Sequence, residues 1–174
     1  DVDYADPFTG QPTGPLDLIE TLAGWRRMID ANRPIAAAFG FAHWKRDTVD
    51  PLLWAGGPVP FRTGNAAALR DLKRNDAIAV WKARTPPALL AEIEAGPWPV
   101  MEVEDGFIRS TGLGADCVPP LSIIVDDLGV HYDPSRPNRL EELLAQGEPS
   151  PDMLARARRL RGGLVGEGGS KNGG

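Results

Sequence analysis

The chain has 174 residues, a length typical of one domain and sufficient to bury a single core. Its formal net charge of -5 argues against a nucleic-acid binder, because neutralising phosphates requires a surplus of lysine and arginine. The single cysteine, Cys117, excludes an internal disulfide and a cysteine-rich zinc site, and it favours a reducing compartment. No apolar run approaches the roughly 20 residues that cross a bilayer, and the first residues lack signal-peptide features, so we expect a cytoplasmic protein.

The first hundred residues alternate between loop, helix and strand patterns. Residues 1–16 are rich in proline and glycine and predict a lead-in loop, after which apolar residues from Leu18 to Ile29 recur at helical spacing. The alternation then predicts strands over residues 35–41, 59–62, 77–81 and 100–103. Helices are predicted over residues 44–54 and 65–75, and a third helix, capped by Thr85, is predicted between the last two strands. Strands separated by helices of this length predict an α/β fold with a parallel sheet.

The pattern changes after Gly106. Two short apolar segments, residues 122–125 and 130–132, flank a glycine-containing turn and predict a β-hairpin insertion beside the sheet. Two helices are then predicted over residues 139–144 and 152–165, the second with Ser150 as its N-cap. We therefore divide the chain into a lead-in loop (1–16), an α/β domain (17–150), and a C-terminal helix with a glycine-rich tail (151–174).

The loop after the strand at residues 100–103 is the first candidate for a functional site, because ligands bind at the carboxyl ends of strands in open parallel sheets. Residues 102–114 contain three carboxylates, one arginine, two hydroxyl groups and three glycines. The alternation of side chains along a strand predicts that Glu104 and Asp105 point to opposite faces.

A carboxylate at the end of a strand, followed by Gly106, could act as a general base or as a nucleophile toward a sugar. Arg109 could bind a sugar carboxylate or phosphate with two parallel hydrogen bonds. The further candidates for substrate contact in this loop are Ser110, Gly112 and Gly114. Acids next to glycine also build ordinary turns, so a structural turn remains the alternative.

The two histidines are weaker candidates. His43 follows the strand at residues 35–41 and could face the same crevice, although a lone histidine at a helix start is more often a surface residue. His131 lies far from it in the sequence, and too few further ligands are apparent for a zinc site. We therefore expect no catalytic metal.

Several segments of the chain resemble the capsule polysaccharide biosynthesis and export family, whose members include the β-Kdo transferases. The central segments are 104–110 (EDGFIRS), 112–114 (GLG), 118–122 (VPPLS), 126–129 (DDLG) and 136–141 (RPNRLE). The segments 6–10 (DPFTG) and 43–46 (HWKR) resemble the start of a module in that family. Together they extend the resemblance over nearly the whole chain.

The resemblance implies a GT-B-like enzyme built from two Rossmann-like halves, which transfers the sugar acid Kdo from CMP-Kdo to a lipid-linked glycan with retention of configuration. The family's acidic pair followed by glycine falls on Glu104, Asp105 and Gly106, with Asp105 as the first choice for the catalytic carboxylate. Arg109 would hold the Kdo carboxylate. His43 and Lys45 are further candidates for substrate contact, because the basic stretch after the first strand could meet an anionic sugar.

The family's nucleotide-binding half contains a His-Pro pair, which this sequence lacks. The resemblance therefore implies that the chain is the acceptor-side half, that a nucleotide-binding half is missing after residue 174, and that the fragment alone is inactive. It also implies a place at the inner membrane beside the capsule export machinery. The basic run at residues 156–161 could contact that membrane, although a solvated helix face explains it as well.

Two other classes of protein fit the same pattern. One is a noncatalytic export or assembly component that binds glycan or a partner protein. The other is a flavodoxin-type domain, which leaves the long loop after Asp105 unexplained. The state of the acids separates the enzyme from the noncatalytic component. An acid open to a crevice favours catalysis, whereas Glu104 and Asp105 both turned into the protein and paired with Arg109 favour a structural turn.

Overall fold

Apolar segments that alternate with helices form the sheet at the centre of the fold. The computed structural model describes residues 3–108 and 117–166. The strands are β1 (Ile35–Phe39), β2 (Phe61–Arg62), β3 (Ala77–Val80), β4 (Val100–Asp105) and β5 (Ile123–Asp126). Their order is β2-β1-β3-β4-β5, and the first four are parallel, whereas β5 pairs with β4 in the antiparallel sense. The predicted α/β fold with a largely parallel sheet is confirmed.

Among the described residues, five helices flank or follow the sheet. They are α1 (Pro15–Asn32), α2 (Arg46–Leu52), α3 (Pro87–Ala95), α4 (Arg139–Ala145) and α5 (Pro151–Gly166). Single 3-10 turns occur at His43–Lys45, Ala66–Leu69 and Lys82–Arg84. In the part of the chain that the structure describes, no helix combines the length and apolarity needed to cross a bilayer.

The central strands are buried because helices cover both faces of the sheet. On one face, Val49 and Leu53 pack with Trp81 and Val103. The core of the other face is formed by Phe39, Leu69, Ile78, Val80, Leu89 and Ile93, with Ala37. This double cover explains why β1 and β3 are apolar throughout rather than alternating.

The predicted hairpin is wrong. Residues 130–132 form no strand, and the antiparallel partner of β5 is β4, from Glu102 opposite Asp126 to Asp105 opposite Ile123. The chain turns away after β5 because Asp126 Oδ1 accepts hydrogen bonds from the Leu128 and Gly129 amides, at 2.8 and 3.1 Å. A carboxylate that satisfies the amides of a turn competes with strand pairing.

Two local predictions were also wrong, and one was confirmed. Residues 65–75 form only a 3-10 turn, capped by Asn65, and not a helix. Thr85 does not cap α3, because its hydroxyl donates to the Trp81 carbonyl at 2.9 Å and the helix begins two residues later. Ser150 does accept a hydrogen bond from the Met153 amide, at 3.3 Å, as expected for the N-cap of α5.

Candidate functional site

The carboxyl end of β4 carries a buried ion pair between two residues that were separate candidates in the sequence. Lys45 Nζ lies 2.9 Å from Asp105 Oδ1, and only 9% and 10% of the two side chains are exposed. The same ammonium lies 3.7 Å from the centre of the Trp81 ring. A cation that is desolvated over an aromatic face gains about 2 kcal/mol. The carboxylate of Asp105 and the ring of Trp81 therefore both stabilise the position of the Lys45 ammonium.

The fold brings these three side chains together because β1, β3 and β4 are neighbours and parallel. Lys45 lies in the turn after β1, Trp81 directly follows β3, and Asp105 is the last residue of β4. The carboxyl ends of parallel strands meet at one edge of a sheet. Residues that are 60 positions apart in the sequence thus form one buried cluster.

Glu104 has different partners from Asp105, as the alternation along the strand predicted. Its Oε1 accepts a hydrogen bond from the Asp105 amide at 3.0 Å, and its Oε2 accepts one from the Tyr132 hydroxyl at 3.0 Å. Burial raises the pKa of Tyr132 to about 12, with further contributions from the charge and hydrogen bond of Glu104 and from the charge of Asp133. Glu104 thus anchors the segment after β5.

Glu102 is a third carboxylate of this strand, to which the sequence pattern assigned no role. It is 3% exposed, and it forms ion pairs with Lys82, at 2.9 Å, and with Arg136. Its Oε2 also accepts the Val130 amide at 3.1 Å. The signal in the sequence was a charged residue inside the apolar segment 100–103, since a carboxylate in a strand of the core requires charged partners nearby.

Gly106 is explained by a close approach of two chain segments. Its amide donates to the Ser122 carbonyl at 2.8 Å, and a Cβ atom built at this position would lie 2.2 Å from Ser122 Oγ. The glycine is therefore required for packing of the chain after β4 against β5. The other predicted residues of the loop, Arg109, Ser110, Gly112 and Gly114, lie outside the described residues.

His43 lines a cavity of about 330 Å³ at the carboxyl ends of β1 and β2. The same cavity is lined by Arg46, Arg62 and Arg84, and we call it the arginine pocket. Lys45 is not among its lining residues, although it directly precedes Arg46. The structure thus separates the two basic residues that the sequence grouped, with Lys45 at the ion pair and His43 in the pocket.

Residues 3–108 and 117–166 contain no group of three or more histidine, cysteine, aspartate or glutamate residues arranged to hold a metal ion. The charged groups at the sheet edge are instead arranged as ion pairs and as the arginine pocket.

A parallel sheet whose carboxyl edge carries buried charges and an open pocket has the arrangement of a ligand-binding α/β domain. The family model described as "Capsule polysaccharide biosynthesis protein" matches residues 76–167, which is more than half of the chain. The chain belongs to this family. The match includes β3, α3, β4 and β5, and therefore Trp81 and Asp105.

Curated relatives support the same assignment. The capsule polysaccharide modification protein LipA of Neisseria meningitidis is 32% identical over 142 residues, which cover 81% of this chain but 20% of LipA. The lipopolysaccharide-processing protein LpsZ of Rhizobium meliloti is 49% identical over 63 residues, which cover 35% of this chain and 14% of LpsZ. The chain thus spans a small part of the length of these relatives.

Two solved structures are similar to this chain in fold. The β-Kdo 2,4 transferase of KpsC from Thermosulfurimonas dismutans is 29% identical with a TM-score of 0.56, and the match covers 78% of this chain and 41% of that one. The β-Kdo 2,7 transferase of the same KpsC is 25% identical with a TM-score of 0.53, covering 75% and 41%. In both cases the similarity covers less than half of the solved chain.

Proposed function

We propose that the chain forms the acceptor-side half of a retaining glycosyltransferase of capsule synthesis, which transfers Kdo from CMP-Kdo to a lipid-linked glycan. The observation that carries the proposal is the position of Asp105, at the carboxyl end of β4 and inside the region that matches the family. The similarity to two Kdo transferases supports the choice of sugar.

In this proposal Asp105 acts on the reacting sugar, as a nucleophile or as a general base. Lys45 acts as a positioning residue, because its ion pair at 2.9 Å fixes the orientation of the carboxylate. Glu104 instead orders the chain through Tyr132, and we expect a smaller role for it in transfer. Arg109 follows Asp105 closely enough in the sequence to hold the carboxylate of Kdo.

The remaining parts of the proposal concern the whole protein. A second Rossmann-like half would bind the cytidine nucleotide, and the reaction would require no resident metal. The expected place is the cytoplasmic face of the inner membrane, beside the export machinery. Arg156 and Arg159 of α5 are exposed and could meet the anionic membrane surface there.

One observation favours a second candidate function. Asp105 is 8% exposed and paired with Lys45, and a buried, paired acid is the state expected of a structural residue. In that case the chain would be a noncatalytic component that binds glycan or an export partner, with Lys45 and Asp105 holding the sheet edge together.

Transfer from CMP-Kdo to a lipid-linked acceptor by the full-length protein separates the two candidates. We expect Asp105→Asn to lower kcat by at least about 100-fold, because a positioned acid or base contributes that much. Glu104→Gln should lower it far less. Lys45→Met breaks the same ion pair but keeps the Asp105 carboxylate. It therefore distinguishes a loss of transfer caused by the missing carboxylate from one caused by lower stability.

Thermal denaturation of each variant provides the control for folding. The enzyme hypothesis stands when Asp105→Asn abolishes transfer at a temperature where the variant is folded and Lys45→Met retains measurable transfer. The noncatalytic hypothesis replaces it when the wild-type protein transfers no Kdo, or when Asp105→Asn remains active whenever it is folded.

A further inference from the structure

The arginine pocket lies beside the candidate site and has a composition that the proposed catalytic residues do not explain. It is formed after β1, after β2 and at the start of α3, so it opens at the carboxyl edge of the sheet. Three arginines, Arg46, Arg62 and Arg84, line it together with His43, and no acidic side chain is found among the described residues that line it. The overall charge of the chain is -5, so this concentration of positive charge is local.

The arginines of the pocket differ in how their charge is used. Arg62 donates to both carboxylate oxygens of Asp71, at 2.5 and 2.8 Å, and also to the Ala68 carbonyl. The charge of Arg62 is therefore already paired within the protein, and we assign it a structural role in the pocket. The Arg84 side chain is exposed and forms no ion pair with any residue in the described ranges 3–108 and 117–166. Its guanidinium is therefore available to a ligand.

Arg46 provides an independent indication. Its guanidinium lies 5.4 Å from the centre of the Phe61 ring, and its Nε is buried without a hydrogen-bond partner in the part of the chain described. The neighbouring groove contains Asp47 and Asp50, yet Arg46 forms an ion pair with neither. Because no carboxylate of the described residues neutralises Arg46, its guanidinium adds positive charge to the lining of the pocket.

The N-terminus of α3 adds to the positive potential. Pro86 and Leu89 line the pocket, and no side chain caps this helix. Pro86 and Pro87 have no amide hydrogen, so only the amides of the next residues lack an acceptor within the helix, and the helix dipole favours an anion at this end. The helix N-terminus therefore adds to the positive potential in the pocket, and the arginines remain the proposed ligands.

We propose that the arginine pocket binds a monosaccharide-sized anionic group, a sugar-acid carboxylate or a sugar phosphate, with Arg46 and Arg84 as its ligands. A volume of about 330 Å³ is at the small end of ligand pockets and suits one sugar residue. The pocket and the Lys45–Asp105 pair both lie at the carboxyl edge of the sheet, as two separate features. The biological role rests on the proposed function, under which the occupant is the end of the acceptor glycan.

Binding to the full-length protein, measured by titration calorimetry, tests the inference. The probes are the methyl glycoside of Kdo, glucose 1-phosphate, and uncharged methyl glucoside. We expect one or both anionic probes to bind, and Arg46→Gln and Arg84→Gln each to weaken that binding by about tenfold or more, which corresponds to about 1.4 kcal/mol. Arg74→Gln is the matched control, because it removes the same charge from an exposed position outside the pocket.

The preferred probe shows whether the pocket accepts a carboxylate or a phosphate.

Because Arg46 also packs on Phe61, the exposed Arg84 gives the variant that leaves the fold least affected. The inference is overturned when neither anion binds, when uncharged methyl glucoside binds equally well, or when Arg84→Gln and Arg74→Gln have the same effect.

The transfer assay keeps the two proposals apart. Arg84→Gln should raise the KM for the acceptor while leaving kcat within a few-fold, whereas Asp105→Asn should lower kcat. Anion binding that depends on Arg84 in a protein without transfer activity would remove the proposed function and leave the anion site in place. If Arg84→Gln changes neither transfer nor anion binding, the anion site is overturned and the proposed function is left in place.

Discussion

Lys45 and Asp105 are 60 residues apart in the sequence, yet their charged atoms lie 2.9 Å apart in a buried position at the edge of the sheet. The pair connects the turn after β1 to the end of β4 across the intervening strand β3. This contact holds one oxygen of the Asp105 carboxylate, and it makes the stability of the sheet edge depend on charge.

Removing one member of this pair should destabilise the fold strongly. Lys45→Met leaves a buried carboxylate without its ammonium, and breaking a buried pair in this way costs about 3 kcal/mol. Urea denaturation followed by tryptophan fluorescence measures the loss. Arg26→Met provides the comparison, because Arg26 pairs with Asp30 on an exposed face of α1, and we expect no measurable change there. A similar loss in both variants would contradict the buried pair.

Glu102→Gln should loosen the segment that follows β5. The variant keeps the shape of the side chain but removes the charge that faces Lys82 and Arg136. We expect a loss of about 2 kcal/mol in the free energy of unfolding, because two cations lose their buried partner. Hydrogen exchange at the Val130 amide, which donates to Glu102, should accelerate.

Glu94→Gln is the matched control for this change. Glu94 also pairs with Lys82, at 3.0 Å, but its side chain is 46% exposed. Its substitution should change the stability by less than about 0.5 kcal/mol. Equal effects of the two substitutions would show that Glu102 is not the centre of the network.

Gly106→Ala should destabilise the pairing of the chain after β4 with β5. The added Cβ would meet the Ser122 side chain at 2.2 Å and the Ser122 backbone at 3.0 Å, so the two segments have to separate. We expect a loss of about 1–3 kcal/mol, the range for overpacking. Gly57→Ala, where the added Cβ meets nothing within 4 Å, should stay within about 0.5 kcal/mol of the wild type. A neutral Gly106→Ala would refute the close approach.

Tyr132 should ionise at an unusually high pH in the folded protein. Burial and the neighbouring Glu104 raise its pKa to about 12, above the ordinary value of 10.0. The absorbance difference between wild type and Tyr132→Phe isolates its titration from that of Tyr4, and Glu104→Gln should lower the midpoint. A midpoint that is the same in wild type and Glu104→Gln would contradict the hydrogen bond.

The same shift has a consequence for stability. The folded state keeps the Tyr132 proton between pH 10 and about 12, where the unfolded state loses it, so this contribution is fully present below pH 10 and is lost as the pH rises through 12. Because the side chain is 53% exposed, we expect the effect to be small.

Much of the fold could be predicted from the sequence because the central strands are apolar runs between helical segments. The strands at residues 35–41, 77–81 and 100–103 were placed correctly, with ends that differ by one or two residues. The predicted hairpin was wrong because strand propensity indicates that a segment is extended but does not identify the strand with which it pairs. The helix at residues 65–75 failed because local hydrogen bonds, such as that of Asn65, favour a tight turn.

The acidic loop was also visible in the sequence, since carboxylates, arginine and glycine at the end of a strand are a local pattern. Its family likeness is carried by consecutive residues, which is why the sequence alone is enough to show the resemblance. The alternation of Glu104 and Asp105 followed from strand geometry alone.

The sequence by itself determined the α/β class and the family, because each depends on neighbouring residues. Only the tertiary structure decided that Lys45 pairs with Asp105 over Trp81, that Glu102 gathers Lys82 and Arg136, and that Arg46 and Arg84 share a pocket. Those contacts join residues from different strands and turns, and their partners are set by the order and direction of the strands in the sheet, which no local pattern encodes.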